Sequence, residues 1–256
     1  MITIKNTHEI EAMKRAGRIA AAAREAAKAF IEAGTPGRMT TADIDRVVEQ
    51  TIRRYKAIPT FLGYGGFPAS ACVSVNEEVI HGIPGERILR DGDLVKVDVG
   101  ATFGGFVGDC AATFFVGTPS EDAKRLAEVT RESFYEAMKY ARPGYRLSDI
   151  SHAVQTYAEA RGCGVVRDYV GHGIGRKMHE DPEVPNYGNP GHGPRLIPGM
   201  TLAVEPMITA GTWKVRTLSN DWTVVTQDGS LAAHYENTIA ITAEDPVILT
   251  WTEMDI

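Results

Sequence analysis

The sequence has few cysteines and no long hydrophobic run, and both absences exclude classes of protein. Three cysteines (Cys72, Cys110 and Cys163) form no CxxC pair and are odd in number, so we expect free thiols in a reducing compartment. No apolar stretch approaches the roughly 18 residues that a membrane helix needs. Charged residues interrupt the N-terminus where a signal peptide would be apolar, which favours a cytoplasmic protein.

Acidic residues outnumber basic ones, 33 to 27. The net charge of −6 argues against a protein that binds the phosphate backbone of nucleic acids. The composition is otherwise that of an ordinary globular protein, with 43% hydrophobic and 23% charged residues. A chain of 256 residues is long enough to bury a sizeable core.

Four carboxylates and one histidine, residue types that commonly bind metals, have unusual surroundings. The carboxylates stand in or beside apolar, strand-like segments, and the histidine stands between glycines. They are Asp98, Asp109, His172, Glu205 and Glu236. Four unpaired carboxylates would each cost several kcal/mol to bury, which indicates that cations compensate their charge. Oxygen ligands with one imidazole suit hard or borderline divalent metals, and four carboxylates suit two ions better than one. These residues predict a dinuclear metallohydrolase.

Helix and strand signals occur in the same order twice along the chain. Hydrophobic patterning predicts helices over about residues 8–33, 41–56, 120–140 and 147–161, and strands near 71–75, 94–99, 106–116, 201–208, 223–226 and 236–241. Each helix pair is joined at a Pro-Gly junction, PGRMTTADI in the first half and PGYRLSDI in the second. The stretch 181–198 is rich in Pro, Gly and Asn, so we expect a long loop that is neither regular helix nor central strand.

This order predicts the α+β class, with one domain over residues 1–256. We expect two related halves, about 1–119 and 120–256, whose strands merge into a shared antiparallel-rich sheet. A site between the halves would collect side chains from both, as the five residues above do.

Six sequence blocks resemble the methionine aminopeptidases, specifically the short bacterial form of the first type. They are NEEVIHGIP (76–84), VKVDVG (95–100), GHGIG (171–175), MHEDPEVPNYG (178–188), VEP (204–206) and YENT (235–238). The resemblance covers essentially the whole chain. It implies a pita-bread (creatinase/aminopeptidase) fold, with two pseudo-symmetric halves sharing a curved antiparallel-rich sheet. It also implies metal-dependent removal of the initiator methionine from peptides and nascent proteins whose second residue is small.

The resemblance further implies how two divalent ions are held. Asp98 is expected to be a terminal ligand of one ion, and His172 and Glu205 to bind the other. Asp109 and Glu236 are expected to bridge the two. Cobalt, manganese, iron, nickel and zinc all suit this ligand set.

Catalytic and substrate-binding residues are carried over in the same way. His81 is expected to contact the scissile amide, His179 to stabilise the developing oxyanion, and Glu205 to shuttle the proton. The expected wall around a methionine side chain, where aromatic rings and sulfur suit a thioether, consists of Phe61, Tyr64, Phe67, Cys72, Met178 and Trp222. Four other histidines lack such support and are expected to be surface or packing residues: His8, His152, His192 and His234.

Two alternatives stay open. Another pita-bread peptidase, such as a prolidase or an Xaa-Pro aminopeptidase, uses a similar ligand set, but we expect no room here for its N-terminal domain. A non-catalytic pita-bread binding protein would typically have lost metal ligands. Four positions depart from the commoner family pattern and concern the tuning of metal preference and rate: Val107, Cys110, Met178 and Asn237.

The expected partners follow from this activity. They are N-terminal methionyl peptides and nascent chains, with the ribosome as a further candidate. No nucleic-acid or membrane contact is expected. A monomer is expected, because the chain has no long amphipathic seam.

Overall fold

Four α-helices pack against a large antiparallel sheet in the computed structural model of the protein, which describes residues 1–252. They are α1 (Thr7–Ala33), α2 (Thr41–Arg54), α3 (Glu121–Met138) and α4 (Leu147–Glu159). All four predicted helices are confirmed. Asn6 and Thr40 each cap a helix through a side-chain oxygen that accepts from the backbone N–H three residues later.

Short strands make up the rest of the regular structure. They are β1 (Ile58–Pro59), β2 (Ala71–Val75), β3 (Glu78–Ile80), β4 (Leu94–Phe103), β5 (Phe106–Phe115), β6 (Gly164–Val165), β7 (Gly171–Gly173), β8 (Glu180–Val184), β9 (Thr201–Val204), β10 (Met207–Thr209), β11 (Val215–Thr217), β12 (Val224–Thr226), β13 (Ala232–His234), β14 (Glu236–Ala240) and β15 (Val247–Ile248).

Nine of these strands form the main sheet, in the order β1-β4-β5-β14-β9-β7-β8, with β2 paired to β4 and β15 paired to β14. Two further sheets have three strands each, β13-β10-β6 and β11-β12-β3. The pairings in the described part of the chain are antiparallel. This mixture of helices and antiparallel sheet is the predicted α+β class.

Two predicted segments differ from the structure. The loop prediction for 181–198 is wrong at its start, because β8 occupies Glu180–Val184. β8 lies at the end of the sheet, where Pro182 is tolerated because an edge strand has N–H positions without ladder partners. The single strand predicted over 201–208 is broken at Glu205 and Pro206, and its two parts enter different sheets.

The buried core divides into two large clusters. One spans residues 19–116 and joins α1 and α2 to β2, β4 and β5. Another joins α3 and α4 to β9 and β14. The clusters agree with two halves, while the pseudo-symmetric boundary near residue 120 stays a prediction.

Alternation along β4 and β5 determines which face these helices cover. Val97, Val99, Cys110 and Ala112 belong to the first cluster, so the residues between them in sequence face the other side of the sheet. That other side carries Asp98 and the residues described next.

No helix within residues 1–252 is both long and apolar enough to cross a membrane. Cys72 and Cys163 are free thiols, as predicted.

Candidate active site

One cross-strand row of the main sheet carries two predicted ligands and one predicted pocket residue. The strand register aligns Cys72 of β2 with Asp98 of β4, Asp98 with Ala111 of β5, and Ala111 with Glu236 of β14. Residues in register on neighbouring strands point to the same face, so these four side chains share one side of the sheet. Ala111 is small and leaves space between the two carboxylates that flank it.

A second row lies beside the first on the same face, because side chains two positions apart along a strand point the same way. Asp109 of β5 is opposite Gly100 of β4, and His172 of β7 is opposite Ala203 of β9, which is itself opposite Thr238 of β14. The Thr238 hydroxyl accepts from the Asp109 N–H (3.1 Å) and donates to the Asp109 carbonyl (2.9 Å). Two further predicted ligands are thereby held next to the first pair.

Glu205 completes the cluster at the break between β9 and β10. Its Oε1 lies 3.6 Å from Nε2 of His172, and its Oε2 lies 3.9 Å from Nε2 of His234. Nε2 of His172 is also 3.6 Å from Oδ2 of Asp109. The structure therefore brings the five predicted ligands into one cluster, although their binding of metal stays a prediction.

The donor atoms of this cluster fall into two groups that share Glu236. Ligand atoms of Asp109, His172 and Glu236 lie within 4.8 Å of one another. Those of Asp98, His234 and Glu236 lie equally close together. Two such groups with a common carboxylate could hold two neighbouring divalent ions.

Several donor atoms in these groups are buried without a hydrogen-bond partner among residues 1–252. They are Oδ1 of Asp98, Oδ1 of Asp109, Oε1 of Glu236, and both ring nitrogens of His234. A buried polar atom without a partner costs about 1–3 kcal/mol, and more if it is charged. Carboxylate oxygens and imidazole nitrogens are ligands for borderline divalent metals, so the residues present fit such ions.

The electrostatics of the cluster also favour a bound cation. Burial, reinforced by the neighbouring Asp109 carboxylate, raises the pKa of Asp98, Glu205 and Glu236 well above the usual range. Burial lowers the pKa of His234 to about 3. Without a cation these carboxyl groups hold protons more readily, and the imidazole is neutral.

A cavity of about 230 Å³ opens onto this cluster. Its wall includes every predicted pocket residue: Phe61, Tyr64, Phe67, Cys72, Met178 and Trp222. The rings of Phe67 and Trp222 meet edge to face, with centroids 5.1 Å apart. Ile80, which precedes His81 in the block 76–84, also lines the cavity, as do Tyr169 and Val170, which lie outside the six blocks.

His81 and His179 lie in the same cavity wall. His81 follows β3 with a φ of 57°, a left-handed conformation that non-glycine residues rarely adopt and that often marks functional sites. Burial lowers the pKa of His81 to about 4 and also lowers the pKa of His179. The Tyr64 hydroxyl is 2.7 Å from Nδ1 of His179, which leaves Nε2 available to a substrate.

His234, expected to be a surface or packing residue, is buried beside the predicted ligands. This histidine is 1% exposed and belongs to the donor cluster, whereas His8 and His192 are exposed as predicted and His152 is half-buried at the surface. The sequence did contain a signal for this location. His234 stands two residues before Glu236, and side chains two positions apart in an extended chain point to the same side.

Two of the four departures from the family pattern face away from the cluster. Asn237 is in register with Cys110 on the helix-covered side of the sheet. The Asn237 side-chain oxygen accepts from the Thr250 hydroxyl (2.8 Å) and from the Arg24 guanidinium (3.3 Å). Val107, by contrast, packs in the cluster of pocket residues.

Comparisons with known proteins agree with this geometry. The model of metallopeptidase family M24 matches residues 11–243. A methionine aminopeptidase from Clostridium acetobutylicum is 59% identical over 254 residues, covering 99% of this chain and 100% of the relative. The crystal structure of methionine aminopeptidase from Thermotoga maritima is 47% identical with a TM-score of 0.94, and the match covers 98% of this chain and 100% of that chain.

A more distant likeness concerns the prolidase alternative. Prolidase from Pyrococcus furiosus is 24% identical with a TM-score of 0.74, over 98% of this chain and 66% of that chain. At that identity the likeness shows the shared pita-bread fold alone. On the family match and the full-length relatives, the chain belongs to the methionine aminopeptidases of metallopeptidase family M24.

Proposed function

We propose that this protein removes the N-terminal methionine from peptides and nascent proteins whose second residue is small, with the help of two divalent metal ions. The observation that carries the proposal is the pair of donor groups sharing Glu236 beside an aromatic- and sulfur-lined cavity. Family membership agrees with it, because the full-length relatives are methionine aminopeptidases.

Membership of a metallopeptidase family implies divalent metal. The two donor groups support two ions, with Asp98 on one side, His172 and Glu205 on the other, and Asp109 and Glu236 between them. When bound, such ions make water a better nucleophile and polarise the scissile carbonyl. Cobalt, manganese, iron, nickel and zinc are all compatible with these donors.

Glu205 is suited to move the proton that amide hydrolysis requires. Its carboxylate lies at the centre of the donor cluster and lines the cavity, within reach of a water that attacks a bound amide, so it is placed to accept the proton of that water. The same carboxyl group then delivers that proton to the leaving amine. One of its oxygens faces His172 and the other faces His234, so both lie at the centre of the cluster.

His81 and His179 supply hydrogen bonds to the reacting amide. Because burial lowers the pKa of both, each is neutral near neutral pH and carries one N–H that it donates without adding charge to the site. His179 is oriented by the Tyr64 hydroxyl at Nδ1. Removing one donor of this kind typically costs about 100- to 1,000-fold in rate.

The size and lining of the cavity support selection of methionine. A cavity of about 230 Å³ is smaller than the roughly 300–1,000 Å³ of sites for drug-sized ligands, which fits one side chain better than a long segment of peptide. Phe61, Phe67 and Trp222 offer ring contacts to a thioether, each worth about 0.3–1.5 kcal/mol.

Peptide hydrolysis tests this function. Met-Gly-Met-Met and a set of Xaa-Pro peptides are incubated with protein that holds a defined divalent metal, and free amino acids are quantified. We expect release of methionine from the first peptide and no cleavage of the second set. Cleavage of the Xaa-Pro peptides alone would favour a prolidase-like enzyme, and cleavage of neither would favour a non-catalytic binding protein.

Setting and partners are part of the same proposal. The free thiols of Cys72 and Cys163 support a reducing compartment such as the cytoplasm. We propose that the protein acts as a monomer on nascent chains, with the ribosome as a candidate partner. Co-sedimentation with ribosomes and light scattering of the purified chain test these two points.

A further inference from the structure

His234 has a buried imidazole in the donor cluster, but it is not among the five ligands assigned above. It ends β13, two residues before Glu236 begins β14, so the two side chains leave the chain toward the same side. The Thr113 hydroxyl accepts from the His234 N–H (3.0 Å) and donates to its carbonyl (2.8 Å). This pair of hydrogen bonds fixes the backbone that carries the imidazole.

The ring of His234 faces carboxylates at distances too long for hydrogen bonds. Nε2 lies 3.7 Å from Oε2 of Glu236 and 3.9 Å from Oε2 of Glu205. An N–H···O hydrogen bond has its heavy atoms about 2.7–3.2 Å apart. Both ring nitrogens lack a hydrogen-bond partner in residues 1–252, although the side chain is 1% exposed.

His172 provides an internal reference for these distances. Its Nε2 is 3.6 Å from Oδ2 of Asp109 and 3.6 Å from Oε1 of Glu205. Two ligands that share one cation, each about 2.0–2.2 Å from it, are about 2.9–3.4 Å apart at neighbouring positions and about 4.1 Å apart at opposite ones. The 3.7 Å between His234 and Glu236, the ligand with which it would share an ion, is close to the 3.6 Å of the two His172 pairs.

We propose that His234 is a ligand of the ion on the Asp98 side of the site, so that each of the two ions has one imidazole ligand. The inference rests on the proposed two-metal function and adds a sixth protein ligand to it. Ligand atoms of Asp98, His234 and Glu236 lie within 4.8 Å of one another, which is the group that such an ion would use. Imidazole suits iron, nickel and zinc better than it suits magnesium or calcium, so His234 favours the former at this position.

Histidine-selective ¹⁵N NMR on the whole protein tests the proposal. The ring nitrogens of ¹⁵N-histidine-labelled protein are followed while Zn²⁺ is added to two equivalents, and bound zinc is measured by elemental analysis. We expect two imidazoles with metal-bound nitrogen signals. One signal disappears in His172→Gln and the other in His234→Gln. The exposed His192 provides the matched control, since His192→Gln retains both signals.

Affinity provides a second measurement. His234→Gln should bind one of its two zinc ions at least about 10-fold more weakly than the wild type in a chelator competition, since even residues that only contact a ligand typically change affinity about 10- to 100-fold. The proposal is overturned if wild-type protein with two bound zinc ions shows a single metal-bound imidazole, a result that needs no variant to fold. Such a result leaves the proposed function standing. Wild-type protein that binds no zinc and cleaves no methionyl peptide overturns both.

Discussion

In metal-free protein, the free energy of unfolding should fall as the pH rises. Glu236 is buried, and burial together with Asp109 raises its pKa above the ordinary value of 4.5. The folded state of metal-free protein therefore binds more protons than the unfolded state at pH values above about 4.5. The free energy of unfolding then falls as the pH rises, by about 1.4 kcal/mol per pH unit for each carboxyl group that holds its proton only when folded. This loss is complete once the pH passes the raised pKa of the folded state.

Glu236→Gln isolates the contribution of this one group. Urea unfolding is measured from pH 5 to pH 8 in the presence of a chelator, for the wild type and the variant. We expect the wild type to lose stability relative to the variant by up to about 1.4 kcal/mol per pH unit. The exposed Glu121 on α3 serves as the matched control, and Glu121→Gln should leave the wild-type slope unchanged.

Adding metal should then stabilise the wild type more than it stabilises Glu236→Gln. A divalent ion at about 100 times its dissociation constant stabilises the folded state by about 2.7 kcal/mol. For a chain of this size that raises the melting temperature by about 5–11 °C per ion. Glu236→Gln should gain much less, because Glu236 belongs to both donor groups. The reasoning is refuted if the metal-free wild type gains stability with pH relative to the variant, or if metal stabilises both proteins equally.

Three further predictions follow from single contacts. Asp109→Asn should lose most bound metal and activity, and near-normal metal content by elemental analysis would contradict its bridging role. Tyr64→Phe removes the hydroxyl 2.7 Å from Nδ1 of His179, so kcat should fall by about 2- to 13-fold, and an unchanged kcat would show that this contact does not orient the ring. Gly108→Ala places a Cβ 2.4 Å from the backbone of α1 and should destabilise the fold by about 1–3 kcal/mol in urea unfolding, whereas Gly85→Ala meets no atom within 4 Å and should cost less.

Much of the fold could be predicted from local patterns. The helices end near their predicted limits because caps and Pro-Gly junctions are local signals. The strands β6, β7 and β8 were not predicted, because their sequences (GV, GHG and EDPEV) consist largely of Gly, Pro and acidic residues, which are depleted in strands. Pairing to β9, which lies beyond β8 and the long loop, makes β7 a strand, and pairing to β7 then makes β8 one.

The types of residue in the candidate site were also evident from the sequence. Carboxylates in apolar segments predict a cation, since burying them otherwise costs several kcal/mol each. The sequence did not reveal which side chains lie opposite the ring of His234. Those side chains, Glu205 and Glu236, come from the break after β9 and the start of β14.

The sequence by itself determined the helices, the longer strands, the set of ionisable residues and the family. Only the tertiary structure decided how those residues are arranged. Register across β2, β4, β5 and β14 aligns Cys72, Asp98, Ala111 and Glu236 in one row. A shift of one residue would turn a whole strand's side chains to the opposite face, and nothing local in the sequence specifies pairing between strands more than 100 residues apart. The tertiary structure also places His234, expected to be a surface or packing residue, beside Asp98 and Glu236 in the candidate active site.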